Sequence, residues 1–285
     1  IVFISGDLTD KELLCGILSE NNINVVYHLA AQVEIGVGLK NPYLTFESNI
    51  RGTYSLLEAI RLHSDTIEAA IFASTDKAYG SYSFDQMPYK ENYKLLPKYP
   101  YDVSKACADM IAQVYANDIY KLPIAVTRFS NIYGPGQLNF SALVPDSVTS
   151  ALGYSKFIPR GDGSMIRDFL YVEDVVDLYL KIANSLFENP EKISGEVFNA
   201  GTNNPTSVRD LLEIVYRLAG TQDDYKDILS LMDEKIAVGE IQCQYMDYEK
   251  VNKYFNWSPS ISLEDGLIKS IEWYKGWNKN NIKFF

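Results

Sequence analysis

The sequence is poor in the residues that several protein classes need. Only three of its 285 residues are cysteine. Cys15, Cys107 and Cys243 lie far apart and in no metal-ligand spacing, which argues against a disulfide framework and a cysteine-based metal site. Reduced thiols in a cytoplasmic protein are the simplest reading, and no metal is expected. Basic residues are outnumbered, 26 Lys and Arg against 37 Asp and Glu, for a formal net charge of -11. That balance leaves no broad basic face for nucleic acid. An anionic small ligand would have to be held by a few locally placed cations. No apolar run approaches a membrane span and no signal peptide is present, so a soluble protein without membrane contact is expected. Internal repeats and low-complexity segments are absent too. The absence with most consequence is a glycine-rich turn. A dinucleotide-binding sheet carries G-x-x-G-x-x-G or a close variant after its first strand. Here "IVFIS" (1–5) is followed by "GDLTD", whose single glycine cannot make that turn, and "GVG" at 36–38 has no strand running into it. Either the fold binds no dinucleotide, or the chain begins after its first βαβ unit.

What is present is a core. The chain is 47% hydrophobic and 13% aromatic, with 21 tyrosines, most of which must be structural. Short apolar runs at 1–5, 25–31, 69–74, 123–130 and 195–201 read as strands covered on both faces. Helical spacing appears between them at 9–20, 43–63 and 99–120, with Thr9 as an N-cap and Glu12 completing a capping box. This alternation predicts an α/β fold with a doubly wound, Rossmann-like parallel sheet, whose strand C-terminal ends form the ligand edge. From about residue 131 the alternation becomes irregular, with helical patterns at 140–153, 172–188, 207–219 and 263–275. Residues 1–130 read as a truncated dinucleotide-binding domain to which a segment near 170–200 returns. Residues 131–285 read mainly as a smaller mixed α/β substrate-binding lobe, and the polar stretch 83–98 as a surface excursion.

The chemistry concentrates in two places. "STDKAYG" (74–80) ends the strand 69–74 with a hydroxyl, an acid and a base in succession. "YDVSK" puts Tyr101 and Lys105 four residues apart at the start of the next helix, on one face. A lysine ammonium beside a phenol lowers its pKa and makes tyrosine a usable base near neutrality. Among 21 tyrosines a lone Y-x-x-x-K arises by chance, so the order of motifs carries the weight: a strand ending in "ST", then Y-x-x-x-K, then "RFSNIYGPG" after the following strand.

With "GDLTD" (6–10), "HLAAQ" (28–32), "RDFLYVEDVV" (167–176) and "FNAG" (198–201), these segments resemble, in order and over nearly the whole chain, the extended short-chain dehydrogenase/reductases of the nucleotide-sugar epimerase and dehydratase group. The resemblance implies NAD as cofactor and a nucleotide sugar as substrate. It implies a homodimer paired through the Tyr101 helix and its neighbour. It also places the first strand, glycine-rich turn, helix and second strand ahead of residue 1, so NAD is preferred to NADP only because dehydratases recycle a bound cofactor. By the same resemblance Asp7 and Leu8 stand at the adenine, and His28, Leu29, Ala30, Ala31 and Ser74 line the cofactor pocket. A hydrogen-bonded core histidine is the competing reading of His28. Ser74 or Thr75 would bond the sugar 4-hydroxyl, Tyr101 would take its proton, and Lys105 would bind the nicotinamide ribose. Asn131 and Arg167 would engage the diphosphate, with Arg160 and Asn199 as further substrate candidates; an ion pair to Asp168 is the alternative for Arg167. Tyr79 and Gly80 resemble the group's "YG" turn, with Tyr79 as packing.

Asp76 and Lys77 separate the members of such a group. A 4-epimerase oxidises C4, turns the keto sugar and reduces it again, leaving no task for a second acid–base pair. A 4,6-dehydratase must also remove the C5 proton and protonate the departing C6 hydroxyl. Most similar dehydratases carry Asp-Glu here; those acting on CDP-glucose, and inverting ones acting on UDP-N-acetylglucosamine, are among those with Asp-Lys. Asp76 is therefore expected as the acid toward the C6 oxygen and Lys77 as the C5 base, or as an electrostatic stabiliser of the enolate. The arginine-free "EIQCQY" (240–245), with Gln242 and Gln244 as nucleotide contacts, points with that pair to a CDP-hexose. A 4-epimerase and a non-catalytic fragment lacking its cofactor half-site are the alternatives.

Overall fold

The computed structural model describes residues 1–233 and 241–280. In chain order the elements are α1 (Lys11–Glu20), β1 (Val25–His28), α2 (Ile35–Lys40), α3 (Pro42–Phe46), α4 (Gly52–Leu62), β2 (Ala69–Ala73), α5 (Pro100–Ala116), β3 (Ile124–Phe129), β4 (Asn131–Tyr133), α6 (Leu143–Ala151), β5 (Ile166–Arg167), β6 (Phe169–Tyr171), α7 (Val172–Glu188), α8 (Pro190–Ile193), β7 (Val197–Ala200), β8 (Thr206–Ser207), α9 (Val208–Ala219), α10 (Gln222–Asp233), α11 (Glu249–Phe255) and α12 (Leu263–Asn280). β1, β2, β3 and β7 form one parallel sheet in the order β1–β2–β3–β7, with Ile71 opposite Ala125 and Thr127 opposite Phe198. Alternate side chains face opposite layers. Ala70, Phe72, Ile124 and Val126 pack on α1, α4 and α5 through Leu18, Leu57, Ile60 and Ala112. Ala69, Ile71, Ala125 and Phe198 pack on α7 through Leu178, Ile182 and Leu186. This is the Rossmann-like α/β sandwich the alternation predicts, and β7 is the returning strand.

A second core lies beyond the strand ends. Val148, Leu211, Leu212, Val215, Ile271 and Tyr274 bring α6, α9 and α12 together, and short pairs β4–β6 and β5–β8 stitch this lobe. No helix among the described residues is long and apolar enough to cross a membrane.

Four local expectations change. Residues 1–5 pair with no strand, and Ile1, Val2 and Phe3 are exposed. An apolar run becomes a strand only where a neighbour takes its backbone N–H and C=O groups, and no described residue does so. Helix α1 is capped by Asp10, whose carboxylate accepts from Leu13 N at 3.0 Å; Thr9 turns back to donate to Asp7 Oδ1. The stretch 43–63 is not one helix, because a π turn at Glu47–Arg51 separates α3 from α4. The wide turn coincides with Asn49, whose side-chain amide clamps the backbone of Gln32 from both sides at 2.7 and 3.0 Å and also reaches Ser104 of α5. The excursion 83–98 is anchored rather than loose: Tyr89 is fully buried and stacks on Tyr79 at 4.8 Å.

Beneath the site lies a buried ion pair. Arg128 of β3 grips Asp109 of α5 with two bonds of 2.7 and 2.9 Å, and a third nitrogen donates to the Tyr79 hydroxyl at 2.9 Å. That hydroxyl donates to Asn199 Oδ1 at 2.8 Å. Removing one partner leaves the other charge buried and alone. Arg128→Met should lower stability by about 3–5 kcal/mol in urea titrations, and Asp109→Leu added to it should recover a large share.

Candidate functional site

β2 ends at Ala73, and Ser74 continues it by donating its backbone N–H to Thr127 O at 2.7 Å. The chain then folds into a single 3₁₀ turn, Asp76–Tyr79, capped by the Thr75 hydroxyl, which accepts from Lys77 N at 3.3 Å. Gly80 closes the turn at φ +73°, where a Cβ would stand 1.9 Å from Leu96 O; only glycine fits both constraints. The turn's underside is tied to the sheet by Tyr79, and its upper side opens into a cleft of about 710 Å³. Ser74, Thr75, Asp76, Lys77 and Tyr101 line that cleft, with Asn131, Arg160 and Arg167 also on its wall.

Pro100 opens α5 at its first position, as the missing N–H and fixed φ of proline suit. Tyr101 therefore enters the cleft from the helix start, and Lys105 sits one turn deeper. The protein by itself does not lower the phenol. Burial and the charge of Asp76 push Tyr101 up, against a hydrogen bond from the Thr75 side chain. The Lys105 ammonium instead donates to Ala73 O at 2.5 Å, and burial draws its pKa down to about 8. The expected lowering of Tyr101 by Lys105 is thus not present between these two side chains. A further positive charge in the cleft is what the phenol needs.

Asp76 is split. Its Oδ1 accepts from the Thr75 hydroxyl at 3.0 Å, while Oδ2 is buried and has no hydrogen-bond partner among the described residues. Lys77 Nζ donates to Gln244 Oε1 at 3.2 Å. The Ser74 hydroxyl is likewise buried and unpartnered. Buried polar atoms are normally satisfied, so orphans gathered at one cleft mark where a polar ligand belongs.

The remaining expected residues divide. Leu29 and Ala30 emerge exposed from the end of β1, with Ala31 half-buried, and Asn49 fixes the next residue of this "LAAQ" run. Leu8 packs on Gly52, and Asp7 is an exposed turn residue held by Thr9. None of these lines the cleft. His28 is a core histidine: burial lowers its pKa to about 3, and Nε2 lies 2.9 Å from Thr53 Oγ1. Arg167 is mostly buried, donating to the carbonyls of Ile166 and Ile241 at 2.8 Å each. The Asp168 carboxylate accepts from Thr202 and from Met246 N, which removes the ion-pair alternative between these neighbours. Arg160 is exposed and donates to Ser141 O at 3.1 Å, and the Asn131 amide donates to Asp168 O at 3.1 Å. Asn199 is structural, its amide used by Tyr79 and by Tyr89 O; full burial in that network keeps it from a ligand. Gln242 is exposed and off the cleft wall, and Gln244 is fully buried against Lys77 instead of meeting a nucleotide.

Sequence reasoning passed over Asp102. It is buried beside the cleft; burial, opposed by the charge of Lys77, raises its pKa to about 6 from 3.8. An acid in a helix's first turn is ordinary, so nothing in "YDVSK" marked it. Because the folded state holds this proton more tightly than the unfolded one, the associated stability is complete below about pH 4 and is lost as pH rises through about 6. Asp102→Asn should remove that loss. Urea titrations should show it about 2 kcal/mol more stable than the parent at pH 7 and equal to it near pH 4.

The sequence profile of the family described as "GDP-mannose 4,6 dehydratase" matches residues 1–270. A trifunctional UDP-glucose 4,6-dehydratase/UDP-4-keto-6-deoxy-D-glucose 3,5-epimerase/UDP-4-keto-L-rhamnose-reductase of Arabidopsis thaliana is 30% identical over 273 residues, which is 95% of this chain and 39% of that protein. The chain thus spans well under half of that relative's length. Among solved structures, a dTDP-glucose 4,6-dehydratase from Bacillus anthracis in complex with NAD aligns with a TM-score of 0.81 and 31% identity, covering 98% of this chain and 81% of the other. A UDP-glucose 4-epimerase from Thermotoga maritima with UDP-glucose aligns at 0.82 and 28%, covering 96% and 84%. With the profile matched from end to end of the two lobes, the chain belongs to the GDP-mannose 4,6-dehydratase family, within the nucleotide-sugar dehydratase and epimerase group of the extended short-chain dehydrogenase/reductases.

Proposed function

We propose that this chain carries the active site of an NAD-dependent nucleotide-sugar 4,6-dehydratase. The observation that supports it best is the Asp76–Lys77 pair on the wall of the cleft that also holds Tyr101. An epimerase has no use for that pair, whereas a dehydratase needs an acid and a base beyond the tyrosine.

The residues fit the cofactor at its reactive end. Ser74 offers an unpartnered buried hydroxyl, Lys105 stands below the cleft, and Leu29 and Ala30 leave an open ledge at the end of β1. NAD+, if held there by these residues, would supply hydride acceptance from C4 of the hexose, hydride return to C6, and a positive charge of the kind that the raised Tyr101 phenol calls for. Thr75 orients the 4-hydroxyl and Tyr101 Oη removes its proton. Lys77 Nζ takes the C5 proton, acidified by the new C4 ketone, and gives a proton back to C5 when hydride reaches C6. The Asp76 carboxyl delivers a proton to the C6 hydroxyl, which leaves as water. Arg160, Arg167 and Asn131 hold the sugar diphosphate, the local cations that a chain of net charge -11 must supply.

A CDP-hexose remains the first substrate to test, now on the Asp-Lys pair alone, because Gln244 serves Lys77. Localisation in the cytoplasm and pairing of two copies through α4 and α5 belong to the same proposal; Tyr54 and Leu62 of α4 and Met110 and Val114 of α5 are exposed apolar side chains on these helices.

The test incubates the purified protein, with whatever residues flank this sequence in its gene, with NAD+ and CDP-, GDP-, UDP- and dTDP-hexoses. Loss of one water from a nucleotide sugar is expected by mass spectrometry. An isomer of unchanged mass would establish epimerisation instead. Lys77→Ala should reduce water loss by about 10²- to 10⁴-fold while reduced cofactor still forms on mixing with substrate; undiminished dehydration would sink the role given to Lys77.

A further inference from the structure

Gln244 stands out because its burial serves nothing else. It is fully buried, its Oε1 accepts from Lys77 Nζ at 3.2 Å, and its Nε2 has no partner among the described residues. The oxygen, not the nitrogen, must face Lys77, since an ammonium only donates. The backbone around it is pinned on both sides. Gln244 N donates to Ile166 O at 3.1 Å and Ile166 N to Gln242 O at 2.8 Å. Two residues on, Met246 N donates to the buried Asp168 carboxylate, and Tyr89 N bonds Tyr245 O at 3.0 Å. A side chain held that firmly, with half its amide unsatisfied, is kept for the other half.

We propose that Gln244 is a positioning residue for Lys77, fixing its amine at the cleft wall through a neutral acceptor that leaves the amine able to give up its proton. This rests on Lys77 acting as the C5 base. A carboxylate at 244 would fit the same space and would hold the ammonium charged, since an opposite charge within about 4 Å favours the protonated amine. The amide oxygen accepts from both –NH3+ and –NH2, more strongly from the charged form, but it brings no full negative charge to hold the proton in place. The titratable groups nearest Lys77 in the chain and on the elements around it include Asp76 and Tyr79 on its own turn, Tyr101, Asp102, Lys105 and Asp109 on α5, Cys243, Tyr245 and Asp247 in the segment of Gln244, and Arg167 on β5. Of the acids, Asp76 turns one carboxyl oxygen to the Thr75 hydroxyl, and Asp102 is held toward its neutral form by burial. Gln244 thus makes the direct contact without adding a further carboxylate.

The test compares the parent with Gln244→Glu and Gln244→Met. Reactivity of Lys77 toward acetic anhydride, read by peptide mass across pH, reports its proton affinity without any substrate. Gln244→Glu should move the labelling midpoint up by about one pH unit or more, and the acid limb of the pH–kcat profile should move with it. Gln244→Met, close in volume but without an acceptor, should lower kcat by up to about 100-fold with little change in KM. A purely structural glutamine would change stability and leave the labelling midpoint in place. If Gln244→Glu labels like the parent, while the parent dehydrates its sugar, the inference falls alone. If the midpoint shifts but the parent releases no water from any nucleotide sugar, the dehydratase reading falls and takes the base-positioning role with it, the contact alone surviving.

Discussion

The two bonds from Arg128 to Asp109 and the third to Tyr79 are the constraint on which the site depends. They join β3, α5 and the 3₁₀ turn below the cleft, so the helix that presents Tyr101 and the turn that presents Asp76 and Lys77 share one buried anchor. The guanidinium also lies 4.9 Å from the centroid of the Tyr79 ring, an attraction of cation and ring face that adds to the hydrogen bonds. A planar donor with several fixed N–H groups can satisfy three elements at once, where a lysine could not. Because Tyr79 and Gly80 are held from below, the residues before them, Thr75 to Lys77, can point upward with partly unsatisfied polar atoms.

Those unsatisfied atoms give the cleft its electrostatic character. Tyr101 and Asp102 are both pushed by burial toward their protonated forms, and Lys105 is pushed by burial toward its neutral form. Desolvation thus disfavours the charged form of each group: it brings Asp102 and Lys105 closer in proton affinity than they are in water and moves Tyr101 away from Lys105.

Much of this was legible from the chain, and the misses share a cause. β2, β3 and β7 are buried through both faces and mostly apolar, so their identity is written in consecutive residues. The same holds for Ser74 to Gly80 and for Tyr101 to Lys105, where each group's neighbours in sequence are its neighbours in space. Residues 1–5 have the composition of a strand but not a strand's partner, and composition does not carry that information. The π turn in 43–63 interrupts a helix whose polar and apolar residues keep a nearly continuous period. Asn199 looked like a ligand residue because its motif suggested one, yet its amide is committed to Tyr79 and Tyr89. Gln244 reads in the sequence as a candidate nucleotide contact because its partner Lys77 lies 167 residues away along the chain. Asp102 lay inside the most informative motif, hidden because acids in a first helical turn are commonplace.

The contact between Lys77 and Gln244 also ties the second lobe to the sheet. Segment 241–247 crosses back and touches the turn Asp76–Tyr79 itself. It is held by Asp168 at Met246, by Tyr89 at Tyr245 and Asp247, and by Ile166 at Gln242 and Gln244. Ile166 and Asp168 flank Arg167, the mostly buried guanidinium on the cleft wall. The strand that carries Arg167 and the segment that contacts Lys77 are therefore one hydrogen-bonded unit. Arg167 and Gln244 are thus tied to each other through the backbone bonds that Ile166 makes with Gln242 and Gln244.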